Sequence, residues 1–306
     1  MSCALWLHNY GLRPVIIEKE ALLGGMARHS PYPNDWLLGR PHESPREDAT
    51  AFADHVRALA IETRLGARLQ RVRPRSGGHF GLEITLPGSS APQTLSGPAI
   101  VIATGTSFAG AEWLDQVKNA RRVAAGGRVH LGPTAVGEPD TKLGSHIAVI
   151  GGGDNAFDVS RILADKGVRV TLVMRSKTPK AQPVLVDRLG PHQADGRAKV
   201  MAERSVAELD DVGDRIRVRL DDGGDIEVDH LVLLFGYRPN ADDRWLAELA
   251  LERDAHGYIT VDRNMRTSRE GVFAAGDVAN PAHPSVVTAI SGGAVAAREV
   301  LRQLAR

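Results

Sequence analysis

The stretch "HIAVIGGGDNAFDVSRILADKG", residues 146–167, leaves few folds open to the chain. A β-rich run ends on three glycines, and apolar residues then recur at helical spacing. Gly151 suits the tight turn, Gly153 lets backbone come close to a pyrophosphate, and Ala156 permits close packing of helix on strand. Phosphates would rest on the helix N-terminus, where unpaired N–H groups and the helix dipole favour an anion. A glycine triplet alone is a flexible turn. Between a strand and a helix it predicts a dinucleotide-binding turn on a parallel sheet.

The order of parts around this turn occurs twice. In the first half, "PVIIEKE" is a strand, "FADHVRALAIE" an amphipathic helix and "GLEITL" one strand of a small meander, and the half closes on "AIVIATGT". In the second, the glycine turn is followed by the strand "VRVTLVM", the meander strands "IRVRL" and "DIEV", and a closing "HLVLLFGYRPN". Strands alternating with helices imply parallel sheets with right-handed crossovers. The fold class is therefore α/β: two Rossmann-like three-layer dinucleotide-binding domains, each with a small β-meander, the second inserted into the first. The expected boundaries are 1–109 and 239–306 for the outer domain and 110–238 for the inserted one. The last helix carries Ala289, Gly292, Gly293, Ala294, Ala296 and Ala297, small residues that let it approach another backbone or a flat ligand.

Composition removes several classes of function. The 306 residues carry a formal charge of +1, and no element clusters Lys and Arg as nucleic-acid phosphate binding requires. The apolar run around Leu231–Phe235 is too short to cross a bilayer, and the first residues do not read as a signal peptide, so the expected location is cytoplasmic with no membrane partner. Cys3 is the single cysteine, which rules out an intrachain disulfide or a two-cysteine redox centre within this sequence. It reads as a core residue of the first helix. The histidines show no metal-ligand spacing, so no metal site is expected, and Trp36, Trp113 and Trp245 read as core or hinge packing.

Two further segments bear on chemistry. The strand after the glycine turn ends "LVMRSKTPK", at the position where the adenosine ribose of a nicotinamide dinucleotide is read. Met174 stands where an acid would select NAD, and Arg175, Lys177 and Lys180 follow, a bias toward the 2′-phosphate of NADPH. In "GVFAAGDVANPAHPSVVTAISGG" an Asp after a glycine at a strand end can accept hydrogen bonds from a polyol, and a helix opening near Ser285 can aim its positive end at a flavin.

In this order, "AIVIATGT", "AVIGGGDNA", "LFGYRPN", "GYITVD" and "GVFAAGDV" resemble the low-molecular-weight thioredoxin reductase family of FAD-dependent pyridine-nucleotide oxidoreductases, over essentially the whole chain. The resemblance implies FAD and NADPH as cofactors and a homodimer. It places Glu18 and Lys19 at the adenosine ribose of FAD, Gly24, Gly25 and Met26 beside the flavin, and Asn34 ahead of the next turn. Ala103, Thr104 and Gly105 form the crossover strand end, Gly276 and Asp277 meet the ribityl and pyrophosphate, and Ser285 and Val286 lie at the pyrimidine edge. Met26 and Ser285 each replace a usual Gln. For NAD(P)H the assigned residues are Gly151, Gly153, Asp154, Asn155, Ala156, Arg175, Lys180, Phe235 and Gly236. No side chain is assigned a catalytic acid or base role, because hydride passes between the two cofactors.

The family's CxxC falls on Thr134, Ala135, Val136 and Gly137, so no dithiol is present, and Glu138, which matches the acid that usually follows, has no thiolate to protonate. The expected function is an FAD-dependent NAD(P)H oxidoreductase passing electrons to an external acceptor such as ferredoxin or a quinone-like molecule. The alternatives are a non-catalytic dinucleotide-binding module and a disulfide reductase that depends on a partner's thiols. Met1 matches the residue just after the family's first glycine turn, so about 20 residues, including a central strand and the FAD phosphate loop, have no counterpart here. The expectation is a divided first sheet and weak FAD binding.

Overall fold

The computed structural model of the chain describes residues 1–32, 36–41, 43–89, 91–137, 143–280 and 282–305. Contacts divide it into two units: Met1–Arg28, Pro33–Ser107 and Arg238–Arg306 form the first, His29–Tyr32 and Phe108–Tyr237 the second. The stretch His29–Tyr32, which the sequence places in the first flank, thus groups with the inserted unit.

The first unit opens with α1 (Ser2–Asn9), which ends before Gly11 at φ +79°, a left-handed position that favours glycine. β1 (Val15–Ile17) follows. α2 (Pro45–Ala58) begins earlier than its apolar pattern indicates, because Ser44 and Glu47 form a capping box. The Glu47 carboxylate accepts the Ser44 N–H at 2.7 Å, and the Ser44 hydroxyl accepts the Glu47 N–H at 3.3 Å. β2 (Glu62–Arg64) takes up Glu62, which the sequence pattern gave to the helix. An antiparallel meander of β3 (Arg68–Pro74), β4 (Phe80–Thr85) and β5 (Gln93–Gly97) leads to β6 (Ile100–Ile102) and β7 (Thr106–Phe108). Trp36, read as packing, lies 78% exposed in the loop before α2.

The second unit runs α3 (Trp113–Gln116), α4 (Ala120–Ala124), β8 (Val129–Leu131), α5 (Thr134–Gly137), β9 (His146–Ile150), α6 (Asp154–Asp165), β10 (Arg169–Val173), α7 (Pro183–Ala194) and β11 (Ala198–Met201). A meander of β12 (Val206–Val212), β13 (Arg215–Leu220) and β14 (Asp225–Val228) precedes β15 (His230–Leu233). Its main sheet is wholly parallel, in the order β11-β10-β9-β15-β8. Alternation along β9 builds two cores: Ile147 and Val149 join Phe157, Leu163 and Leu189 on one face, while Ala148 and Ile150 join Val123, Leu209 and Val218 on the other.

β16 (Tyr237–Pro239) pairs with β7, so the chain's two crossings lie side by side. The first unit then resumes with α8 (Arg244–Ala247), β17 (Val272–Ala274) and α9 (Val286–Leu304). Trp245, Leu246, Ile259 and Val272 bury with Ile100, Ile102 and Phe80. α1 crosses α9 at Gly293, where a Cβ would stand 2.9 Å from the Cys3 nitrogen, which explains the small residues there.

The sheet of the first unit is divided, as the sequence led one to expect. Among the described residues β1 pairs in parallel with β2, and β6 in parallel with β17, and no ladder joins the two pairs. The Ile100 N–H donates to Gly271 and the Ile102 carbonyl accepts from Ala275, so Val101 turns its backbone groups away from β17. By the same alternation Glu18 exchanges bonds with Arg64 and Ala67, while Ile17 and Val15 turn away from β2, and Val15 is 39% exposed.

Candidate dinucleotide-binding sites

In the second unit the C-terminal ends of the parallel strands share one edge, where ligands bind in open α/β sheets. Gly151 leaves β9 at φ +154°, and a Cβ there would stand 2.4 Å from the Leu234 carbonyl oxygen beyond β15. Gly153 is the N-cap of α6, and a Cβ on it would meet nothing within 4 Å. The two glycines therefore have separate causes: close packing at Gly151, open ground over the helix end at Gly153. Ala156 is buried against the first-face core. The Asp154 carboxylate accepts the Gln182 N–H at 2.8 Å and its side-chain amide at 3.0 Å, which ties α6 to the start of α7. Asn155 donates to the Tyr237 hydroxyl at 2.8 Å.

Met174, 4% exposed, closes the end of β10. The Lys180 N–H donates to the Gly152 carbonyl at 2.8 Å, which fixes Lys180 beside the turn. Arg175, Lys177 and Lys180 are exposed and have no carboxylate partner among the described residues. Phe235, 37% exposed, follows β15 and stacks obliquely on Trp113 at 5.8 Å, and Gly236 at φ +91° has open space around it. All the residues assigned to the nicotinamide dinucleotide thus fall on or beside this edge.

In the first unit Glu18 lies just beyond β1, with its carboxylate accepting the Glu20 N–H at 2.9 Å, and Lys19 is exposed. Gly24 has φ +122°, and a Cβ there would stand 2.8 Å from the Ala49 Cβ on α2. Gly25 and Met26 begin a short 3₁₀ turn, Gly25–His29, and the Met26 sulfur accepts the Thr106 hydroxyl at 3.8 Å. Asn34 and Glu138 lie outside the described residues.

Ala103 is exposed at the end of β6, and the residues after it are locked to the return crossing. The Thr104 hydroxyl donates to the Asn240 carbonyl at 2.7 Å, the Asn240 side-chain amide to the Thr104 carbonyl at 2.9 Å, and the Asn240 N–H to the Gly105 carbonyl at 2.9 Å. Asn240, in the "PN" that the sequence marked only as a motif, is the partner that sequence reasoning missed. The same holds for His130 and His230, which spacing left unpaired but whose ring nitrogens meet at 2.8 Å. Among the described residues no group of three or more His, Cys, Asp or Glu can hold a metal, and no helix is long and apolar enough to cross a membrane.

Gly276, at φ +76°, faces the Ala289 Cβ of α9 at 3.6 Å, and Asp277 follows it. One Asp277 carboxylate oxygen is buried without a hydrogen-bond partner among the described residues, and burial holds this carboxyl above its ordinary range. A ligand hydroxyl is the donor that such an oxygen lacks. Ser285 caps α9, its hydroxyl accepting the Thr288 N–H at 3.2 Å, and Val286 is the first residue of the helix. This cradle fits the polyol of FAD. Cys3 is partly buried beside Phe273 and Ala296, and burial pushes its thiol up to about 11, a core residue and not a nucleophile.

Two parallel-sheet units with a glycine turn and an Asp-bearing strand end define a two-dinucleotide flavoprotein architecture. The pattern of the family described as "Pyridine nucleotide-disulphide oxidoreductase" matches residues 1–293, and the chain belongs to that family. It is an FAD-dependent NAD(P)H oxidoreductase. A ferredoxin–NADP reductase of Ignicoccus hospitalis is 26% identical over 310 residues, covering 99% of this chain and 94% of the relative. A glucosaminate ammonia-lyase of Pseudomonas fluorescens is 32% identical over 232 residues, covering 72% of this chain and 68% of the relative. The crystal structure of T. acidophilum thioredoxin reductase superposes with a TM-score of 0.83 at 22% identity, over 100% of this chain and 95% of that one, and so shares the fold.

Proposed function

We propose that the protein oxidises NADPH and reduces an external acceptor that is not a disulfide, a small ferredoxin-like redox protein first and a quinone-like molecule second. The observation that carries this reading is the segment matching the family's dithiol. Thr134–Gly137 is a short helix containing no sulfur, Val136 is 2% exposed in the core, and a Cβ on Gly137 would stand 3.1 Å from Pro31. A hydroxyl and a glycine cannot exchange two electrons with a substrate disulfide. The likeness to a ferredoxin–NADP reductase along nearly the whole chain supports the same choice.

FAD, when bound, supplies the two-electron chemistry that links nicotinamide to acceptor. The chain's own residues bind and orient. Gly276, Asp277 and the start of α9 would hold the flavin dinucleotide. Gly151 and Gly153 with the first turn of α6 would hold the nicotinamide dinucleotide's pyrophosphate. Arg175, Lys177 and Lys180 would meet the 2′-phosphate, where Met174 offers no acid to the NAD ribose. We read the assembly as a homodimer, as the resemblance implies.

The test is NADPH consumption by the FAD-loaded protein with ferredoxin, a soluble quinone and a small disulfide as acceptors. Deamination of glucosaminate, the reaction in the name of the P. fluorescens relative, is the control arm. Turnover with ferredoxin or quinone at least about 10-fold above the disulfide is the expected outcome. Equal or faster disulfide reduction without added thiol protein, or binding of NADPH with no acceptor reduced, would overturn it.

A further inference from the structure

One buried hydroxyl in the second unit is left unused. Tyr32 belongs by its contacts to that unit, and its ring packs on the core that includes Phe157 and Val136. The Tyr32 hydroxyl oxygen is closed to solvent and has no hydrogen-bond partner among the described residues. Burial raises its pKa well above that of free tyrosine, with Tyr237 and Asp158 adding to the effect. It is therefore a neutral phenol, a donor without an acceptor.

The two groups that act on it are tied to the helix that follows the glycine turn. Tyr237 accepts the amide of Asn155 in the first turn of α6, and Asp158 lies one turn further along the same helix. The order of the sheet fixes which half of a dinucleotide comes this way. β10, whose end reads the adenosine ribose, flanks β9 on one side, and β15, followed by Phe235, Gly236 and Tyr237, flanks it on the other. A dinucleotide whose pyrophosphate rests on α6 must run its nicotinamide-side half toward Tyr237.

We propose that Tyr32 is a ligand-binding residue whose hydroxyl donates to the nicotinamide-side ribose of NADP(H) held at the Gly151 turn. The proposal rests on that placement of the dinucleotide. The hydroxyl has opposite effects in the two states of the protein. In the free protein it is buried and unpaired, which costs stability, and in the complex it gains an acceptor. A phenylalanine would keep the ring packing and remove both effects.

Calorimetric titration of wild type and Tyr32→Phe with NADP⁺ and with 2′,5′-ADP, which carries the adenosine half alone, tests this. Tyr32→Phe should raise the Kd for NADP⁺ about five- to tenfold, leave 2′,5′-ADP within about twofold, and raise the melting temperature of the ligand-free protein. An unchanged NADP⁺ affinity, or equal weakening of both ligands, overturns the assignment. An unchanged or lowered melting temperature overturns the premise that the hydroxyl is unpaired. If wild type binds 2′,5′-ADP and the variant behaves like it toward both ligands, only the role of Tyr32 falls. If wild type binds neither ligand, the placement of the dinucleotide falls and the proposal with it.

Discussion

One methyl group, added at either of two glycines two residues apart, should produce opposite defects. In Gly151→Ala the new Cβ would stand 2.4 Å from the Leu234 carbonyl oxygen, 3.2 Å from its carbon and 3.3 Å from the Ala156 Cβ. A tolerable contact requires a retreat of about 0.6 to 1 Å, and a close-packed interior resists it. The atom that must move belongs to Leu234, whose N–H donates to the Ile150 carbonyl at 2.8 Å. Losing that ladder bond costs about 1 kcal/mol, and overpacking adds about 1 to 3. Gly151→Ala should therefore destabilise the second unit by about 2 to 4 kcal/mol. In Gly153→Ala nothing lies within 4 Å of the new Cβ and φ is −98°, open to any residue. Its stability should change by about 1 kcal/mol or less, the difference between glycine and alanine at an N-cap. Its methyl group, however, fills the ground a pyrophosphate would occupy, and NADP⁺ affinity should fall at least about 10-fold. Hydrogen exchange in the segments 146–150 and 230–234 reads the first effect for this unit alone, and titration with NADP⁺ reads the second. A Gly153→Ala protein that loses protection but binds normally, or a Gly151→Ala protein indistinguishable from wild type in exchange, would refute the reasoning.

Two further outcomes follow from groups described above. Replacing Arg175, Lys177 and Lys180 together by serine should raise the Kd for NADP⁺ about 10- to 100-fold at low salt and leave NAD⁺ within about twofold, because only NADP⁺ carries the 2′-phosphate. Equal loss for both dinucleotides would reduce the three cations to a solvated loop. Burial, aided by His230, holds His130 down at about 4, so between pH 6.5 and that value the folded protein binds fewer protons than the unfolded chain. The stability due to this group is whole above pH 6.5 and is lost as pH falls toward 4, by at most about 3 kcal/mol and less where solvent reaches the ring. Thermal unfolding from pH 7 to 4.5 should accordingly fall less steeply for His130→Asn than for wild type, and an identical slope would remove the pair from the account.

What could be read from the sequence was local in the chain. The turn at Gly151–Gly153 announces itself because the residues that make it are consecutive and their roles differ. The helix from Val286 is equally open to reading, since its cap at Ser285 and its buried small residues repeat at helical spacing. The capping box at Ser44 was also there to be read, but the apolar pattern from Phe52 drew the start of α2 too late. Other features depend on register between distant strands. His130 meets His230 because β8 and β15 lie side by side in parallel. Thr104 finds Asn240 through the return crossing, and Tyr32 leaves its own flank for the inserted unit. No spacing rule connects such residues, because the chain between them sets the alignment. Trp36 shows the converse error: its type favours burial, yet its loop offers it no core.

The interlocked Thr104 and Asn240 have a consequence for the order of folding. To the first unit, residues 108–237 are a loop of about 130 residues, and closing a flexible loop of that length costs about 4 kcal/mol before any contact forms. The inserted unit, nearly continuous in sequence, can fold without waiting for the flanks. Once folded, with the Phe108 and Tyr237 rings 5.5 Å apart, it presents its two ends together and removes that entropic cost. By this arithmetic a folded insertion lowers the entropic cost of joining the two flanks.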